Sequence, residues 1–279
     1  MTKIIQGLHE IAPGHDALVC DVWGVLHNGD KALMPACDAL RTFKEKHGPV
    51  ILLTNAPRPV SDVEELFVKK YGVPLDCYDA IVTSGVATRD DLAQRAKSHR
   101  LPMLHLGPER DRGIFDGLNI ETVDADKAEI VLCSGLYDDD TETPADYAEL
   151  LAKMRARKLP MICANPDWVV QRGGRLVYCA GAVANEYEKI GGEVVYYGKP
   201  KTAIYDYVRA AMKGAKKPLA IGDGMHTDVK GANAAGMEAL FIADGVHGED
   251  VRELTERHMA ELFAKAGVHA EAAMRALVW

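Results

Sequence analysis

The sequence predicts an α/β protein, with a parallel sheet covered by helices on both faces and a second α/β domain inserted into it. Three observations carry this prediction. Apolar runs of strand length alternate with amphipathic stretches of helix length along the chain. The runs are continuous rather than alternating, as strands buried on both faces require. Polar residues able to do chemistry stand at the ends of these runs in two groups, at 21–55 and 199–228, and none of this kind falls within 87–192.

In chain order, the strand-length runs fall at 17–21, 50–54, 79–83, 102–106, 129–133, 159–163, 194–197, 218–222 and 238–242. Helix-length segments lie between them at 35–47, 60–71, 87–98, 143–157, 201–213 and 226–235, and a helical stretch covers 249–277. The first run ends in Asp21 and passes at once into a glycine turn. The second ends on Thr54-Asn55, the seventh on Gly198-Lys199-Pro200, and the eighth on Gly222-Asp223-Gly224. Asp138-Asp139-Asp140, followed by Thr143-Pro144, reads as a solvated loop entering a helix N-terminus, where acidic residues suit the dipole. Sites in open α/β sheets lie beyond the carboxyl ends of the strands. The first and last segments therefore share one sheet. This places the core domain at 1–86 and 193–279 and the inserted domain at 87–192.

Composition narrows the function. The 279 residues are 48% hydrophobic and 27% charged, ordinary for a globular protein, with room for a sizeable core. A net charge of −8 with scattered cations speaks against nucleic acid or an anionic membrane as partner. No run approaches the ~18 apolar residues of a membrane span. The N-terminus lacks a signal-peptide pattern. The cysteines at 20, 37, 77, 133, 163 and 179 form no CxxC and sit mostly in apolar runs, as buried reduced thiols do. A cytoplasmic enzyme or binding protein is the expectation. Gly192 to Lys199 is one residue too long for a P-loop, and Pro200 stands where Mg²⁺ would need Ser or Thr. No GxGxxG follows a strand, and His9-Glu10 with His15 makes no HExxH helix.

The strand-end residues form a coherent set. Asp21 and Asp223, facing one another across adjacent strands, would make a hard oxygen site suited to Mg²⁺. Thr54 and Lys199 would bind the oxygens of a phosphoryl group and spread its charge. Asp21 would attack phosphorus. Taken singly, each residue reads as a turn or cap residue; their joint occurrence in this order is what carries the signal.

With these residues the chain resembles the haloacid dehalogenase (HAD) superfamily of phosphatases and phosphotransferases. It is most similar to the branch with a large α/β cap between the second and third motifs, typified by p-nitrophenyl, nucleotide and pyridoxal phosphate phosphatases. "CDVWGVLHNG", "LLTNAPR", "YYGKP" and "AIGDGMHTDVKGANAAGM" answer to the four motifs, and "TSGVATRDDL", "ANPDW" and "GRLVYCAGAVANEYEKIGG" to the passage into the cap and to cap segments. The resemblance implies a Rossmann-like core and Mg²⁺ as cofactor. It implies Asp21 as nucleophile and metal ligand, Thr54 and Asn55 as phosphoryl contacts, and Lys199 as the neutralising cation. Asp223, Asp228 and the backbone carbonyl of Trp23 complete the metal site. It also implies a small phosphorylated metabolite as partner and a homodimer through the cap.

Trp23 departs from the pattern. The branch has a second Asp there, which protonates the leaving oxygen and activates water. An indole N–H can donate a hydrogen bond but cannot take and return a proton. Such assistance is worth ~10²–10⁴-fold. His27 is the nearest titratable substitute. The other readings are an enzyme restricted to good leaving groups, or a phosphometabolite-binding or regulatory protein with little turnover. In the cap, Asp167, Trp168, Arg172 and Arg175 of "NPDWVVQRGGRL", together with Arg58 after the second motif, are the candidate substrate contacts.

Overall fold

The computed structural model describes residues 2–172, 175–245, 251 and 253–279. The first part of the chain forms β1 (Lys3–Ile4), β2 (Ala17–Cys20), α1 (Met34–Lys46), β3 (Val50–Thr54), α2 (Val60–Leu66), β4 (Ala80–Thr83) and α3 (Ser84–Arg95). The middle forms β5 (Leu101–Leu106), β6 (Ile120–Thr122), β7 (Ile130–Cys133), α4 (Ala148–Ala156), β8 (Met161–Cys163), β9 (Val169–Arg172), β10 (Arg175–Tyr178), α5 (Ala180–Lys189) and β11 (Val194–Tyr196). The last part forms α6 (Ile204–Ala211), β12 (Pro218–Gly222), α7 (Lys230–Ala234), β13 (Glu238–Ile242), α8 (Glu256–Ala266) and β14 (Ala272–Met274).

One sheet runs β1-β14-β13-β12-β2-β3-β4, parallel throughout. From β2 the chain moves outward to β3 and β4, then returns through β12 on β2's other side. That reversal is a switch point, and it opens a crevice at the carboxyl ends of β2 and β12. The register pairs Cys20 with both Ile221 and Leu52, which brings Asp21 level with Gly222 and Leu53. A second parallel sheet, β11-β8-β7-β5-β6, belongs to the inserted domain, and β9 and β10 form an antiparallel hairpin.

The continuous apolar runs are explained by two-sided burial. Leu18, Cys20, Leu52, Ile221 and Leu240 point to one face of the core sheet, against Leu40 and Phe43 of α1. Val19, Ile51, Leu53, Ala220 and Phe241 point to the other, against Val208 of α6 and Met259 and Phe263 of α8. The period of two along a strand sends successive side chains to opposite layers. Each fully buried Leu or Phe contributes about 1.5–3 kcal/mol. The inserted domain repeats the plan, with α4 and α5 on one face of its sheet and Leu92 of α3 on the other.

Two expectations need correction. The run ending at 197 belongs to the second sheet, because Val194, Val195 and Tyr196 pair with Met161, Ile162 and Cys163. The return crossing therefore lies after Tyr196, not at 193. The helix over 249–277 is shorter: α8 covers Glu256–Ala266, and Ala272–Met274 is a strand between β1 and β13. Residues 249, 250 and 252 lie outside the described set.

Because Met274 is buried in that strand rather than lying on a helix surface, Met274→Ala should cost about 2–5 kcal/mol. The check is the urea midpoint. A change within about 0.5 kcal/mol is what a surface position would give.

Candidate functional site

Asp21, Asp223 and Asp228 gather at the switch point, each offering a carboxylate oxygen within 4.8 Å of the others. Three glycines allow this crowding. A Cβ on Gly24 would stand 2.1 Å from Asp223 Oδ2, and one on Gly245 2.0 Å from the same oxygen. One on Gly222 would stand 2.2 Å from Asp228 Cγ. Gly24 also sits at φ +81°, a conformation glycine adopts without cost. The Gly224 N–H donates to Asp228 Oδ2 at 2.9 Å and fixes that carboxylate.

Lys199 is 3% exposed, and its ammonium donates to Asp21 Oδ1 at 2.5 Å, Asp228 Oδ1 at 2.7 Å and the Leu53 carbonyl at 3.2 Å. Asn55 holds the Lys199 backbone from both sides. Its Oδ1 accepts the Lys199 N–H at 2.8 Å, and its Nδ2 donates to the Lys199 carbonyl at 3.3 Å. Thr54 is buried at the end of β3, and its hydroxyl accepts the Ala56 N–H at 3.1 Å. Asp21, Thr54, Asn55, Lys199, Asp223 and Asp228 line one cavity of 780 Å³.

The charged groups here shift one another. Burial alone would lower the Lys199 pKa, but the charges of Asp21 and Asp228 hold it well above the usual lysine range. Burial and the Asp228 carboxylate push Asp21 up, against the pull of Lys199. Among the described residues, three carboxylates and one ammonium meet here, and the carboxylate donors are all hard oxygens. This set fits a divalent cation such as Mg²⁺.

Trp23 lines both this cavity and a second one. Its indole N–H donates to the Gln171 carbonyl of β9 at 2.8 Å, across the seam between the two domains. The ring lies against Gly29, where a Cβ would come 2.6 Å from it. His27 does not stand where a substitute acid is needed. It is 3% exposed, stacked on Tyr71 with ring centroids 4.2 Å apart, and its Nδ1 accepts the Gly29 N–H at 3.1 Å. Burial, with Lys70 nearby, pushes its pKa down to about 4. It lines a second cavity of 310 Å³ beyond Trp23, not the one that holds Asp21.

The cap candidates divide. Asp167 reaches the site, and its Oδ1 accepts from Asn55 Nδ2 at 2.9 Å. Arg172 lines both cavities but is held by Asp139 in a two-point pair at 2.8 and 3.2 Å. Arg58 lines the second cavity and pairs with Asp111 at 3.0 Å, another contact across the seam. Trp168 is 60% exposed and lines neither cavity, so it is not placed to stack on a ligand. Arg175 pairs with Asp140 at the surface and also lines neither. The acidic loop is thus not simply solvated, since Asp139 and Asp140 anchor cap arginines. Gln171 and Asp111 were not legible as site residues. One acts through its backbone carbonyl, and the other's partner lies 53 positions away.

The sequence pattern of haloacid dehalogenase-like hydrolases matches residues 18–121, and a HAD-hydrolase-like pattern matches 196–266. A crystal structure of a hydrolase of the haloacid dehalogenase-like family from Brucella suis is 42% identical, with a TM-score of 0.86, over 99% of this chain and 100% of that one. The ribonucleotide monophosphatase NagD of Escherichia coli K12 is 29% identical over 84% of this chain and 89% of its own. The 5'-nucleotidase YutF of Bacillus subtilis is 24% identical over 81% and 86%. All six cysteines are free and buried, and no helix among the described residues is long and apolar enough to cross a membrane. The chain belongs to the haloacid dehalogenase-like hydrolases, in the branch whose second α/β domain is inserted between the second and third motifs.

Proposed function

We propose that this hydrolase is a Mg²⁺-dependent phosphatase that hydrolyses a small phosphorylated metabolite (sugar phosphate, nucleotide or cofactor phosphate) through an aspartyl-phosphate on Asp21. The observation that carries the reading is the meeting of Asp21, Asp223, Asp228 and Lys199 in one cavity. Two relatives are named as acting on nucleotides, which supports trying nucleoside monophosphates first. We place the enzyme in the cytoplasm. The exposed Trp168, Leu176 and Tyr178 around the β9–β10 hairpin support a homodimer formed through the cap.

Asp21 supplies the attacking oxygen, from a position level with the ends of β3 and β12. An ammonium has three N–H donors, and those of Lys199 go to Asp21, Asp228 and Leu53. A phosphoryl oxygen arriving beside Asp21 takes one of these donors from a carboxylate, so positive charge is already in place. Thr54 and Asn55 fix the phosphoryl group from the end of β3. Asp21, Asp223, Asp228 and the Trp23 carbonyl would hold Mg²⁺, which supplies neutralisation of phosphoryl charge. Phosphoryl transfer depends chiefly on such positioning and electrostatics. The second cavity, lined by Trp23, Arg58, Tyr71 and Tyr178, is placed to take the leaving group.

Purified protein with Mg²⁺ should release phosphate from at least one member of a panel of phosphorylated sugars, nucleotides and cofactors, while Asp21→Asn falls to background. A chelator should remove the activity and Mg²⁺ restore it. Tight ligand binding with no phosphate released from any of them would favour a binding protein instead. His27, neutral in the fold with a pKa of about 4 against about 6.5 in the unfolded chain, contributes stability fully above about pH 6.5. That contribution is lost as pH falls towards 4. Denaturant midpoints of His27→Gln should therefore fall less between pH 7 and 5 than those of the wild type, and the shape of the pH–rate profile should not change.

A further inference from the structure

Position 23 offers no proton, yet a carboxyl reaches the same space from the cap. Asp167 lies in the loop after β8, with its N–H on Asn165 Oδ1 at 3.1 Å and its carbonyl accepting the Gly181 N–H at 3.1 Å. A Cβ on Gly181 would stand 2.6 Å from that carbonyl, so α5 is pressed onto the loop and holds it. Asn55 takes Oδ1 of the carboxyl, and Oδ2 has no hydrogen-bond partner among the described residues.

The two cavities meet along a short rim that includes Trp23, Thr54, Asn55, Lys70, Asp167 and Arg172. Among the described residues Asp167 is the one carboxyl on it. A phosphate ester held with its phosphorus beside Asp21 and its leaving group in the second cavity carries its bridging oxygen across this rim. Resting on the phosphatase reading, we propose that Asp167 is the general acid and base of this site, supplied by the cap in place of position 23.

The charged groups facing it are the Lys199 ammonium and the Asp228 carboxylate, with the Cys163 and Cys179 thiols behind. Burial raises the Asp167 pKa above the ordinary range. Lys199 and the Asn55 hydrogen bond pull it back, Asp228 adds to the rise, and the upward direction prevails. In the first step an Asp21 oxygen bonds to phosphorus, the phosphorus–ester oxygen bond breaks, and the leaving oxygen takes the Asp167 proton. In the second, water attacks phosphorus and gives a proton to the Asp167 carboxylate. The bond to Asp21 breaks, phosphate departs, and both carboxyls return to their starting state.

The test compares p-nitrophenyl phosphate, whose leaving group needs no proton, with glycerol phosphate, whose leaving group does. In Asp167→Asn, first-turnover cleavage of glycerol phosphate should fall ~10²–10⁴-fold, and the alkaline limb of its kcat/KM profile should vanish. First-turnover release of p-nitrophenol should stay near wild type and appear as a burst, because the phosphate is then slow to leave Asp21. Asp167→Glu, which keeps an acid, should recover part of the glycerol phosphate rate. Equal losses on both esters with an unchanged pH profile, or no recovery with Glu, would reduce Asp167 to a positioning contact for Asn55 and overturn the proposal. A wild-type chain that releases phosphate from neither of these two esters, nor from any member of the panel of phosphorylated sugars, nucleotides and cofactors, overturns the phosphatase reading and this proposal with it.

Discussion

The Lys199 ammonium between Asp21 and Asp228 is the interaction on which the site depends. Without it, three buried carboxylates at the ends of β2 and β12 would repel one another in surroundings that screen them weakly. With it, two of them share one cation, and the three carboxylates together present hard oxygens that suit a divalent ion. The backbone is arranged around this demand. Asn55 clamps the Lys199 peptide, and the glycines at 24, 222 and 245 let the carboxylates approach closer than any side chain would permit. The sheet contributes the register. Strands buried on both faces cannot slip without misplacing two cores at once, so the positions following Cys20 and Ile221 stay level.

The replacement at position 23 exchanges one kind of help for another. A carboxylate there could move protons; the indole instead donates to a cap carbonyl. Together with Asn55–Asp167 and Arg58–Asp111, this ties the cap to the core beside the site. At about 0.5–1.5 kcal/mol each, such bonds favour the seated cap.

What was legible in the sequence follows from local physics. Runs buried on both faces announce their strands, and polar residues directly after them mark the carboxyl ends. Asp21, Thr54, Lys199 and Asp223 could therefore be named from position alone. Ala272–Met274 was not legible, because an alanine-rich stretch favours helix intrinsically, and only the flanking strands β1 and β13 make it a strand. The β9–β10 hairpin was hidden for a different reason. Of Arg175 to Tyr178 only Val177 is buried, which leaves no alternation to read. His27 shows the limit for chemistry: a residue type suited to proton transfer says nothing about whether it is stacked on a tyrosine away from the site.

In the proposed mechanism, the cap's position couples chemistry to closure. Asp21, Asp223, Asp228 and Lys199 all belong to the core, so the half of the site proposed to bind the phosphoryl group and the metal is assembled from core residues alone. The carboxyl at the rim and the roof over the second cavity come from the other domain. An acid built into the core turn would act on any ester that reached the metal, including one exposed to water. An acid delivered by the cap acts only on a leaving group that the closed cap encloses. Trp23 strengthens this dependence, because the group occupying the old acid position is itself bonded to the cap. Selectivity then lies in which leaving groups permit closure, and the core's charge cluster can remain general for phosphoryl groups.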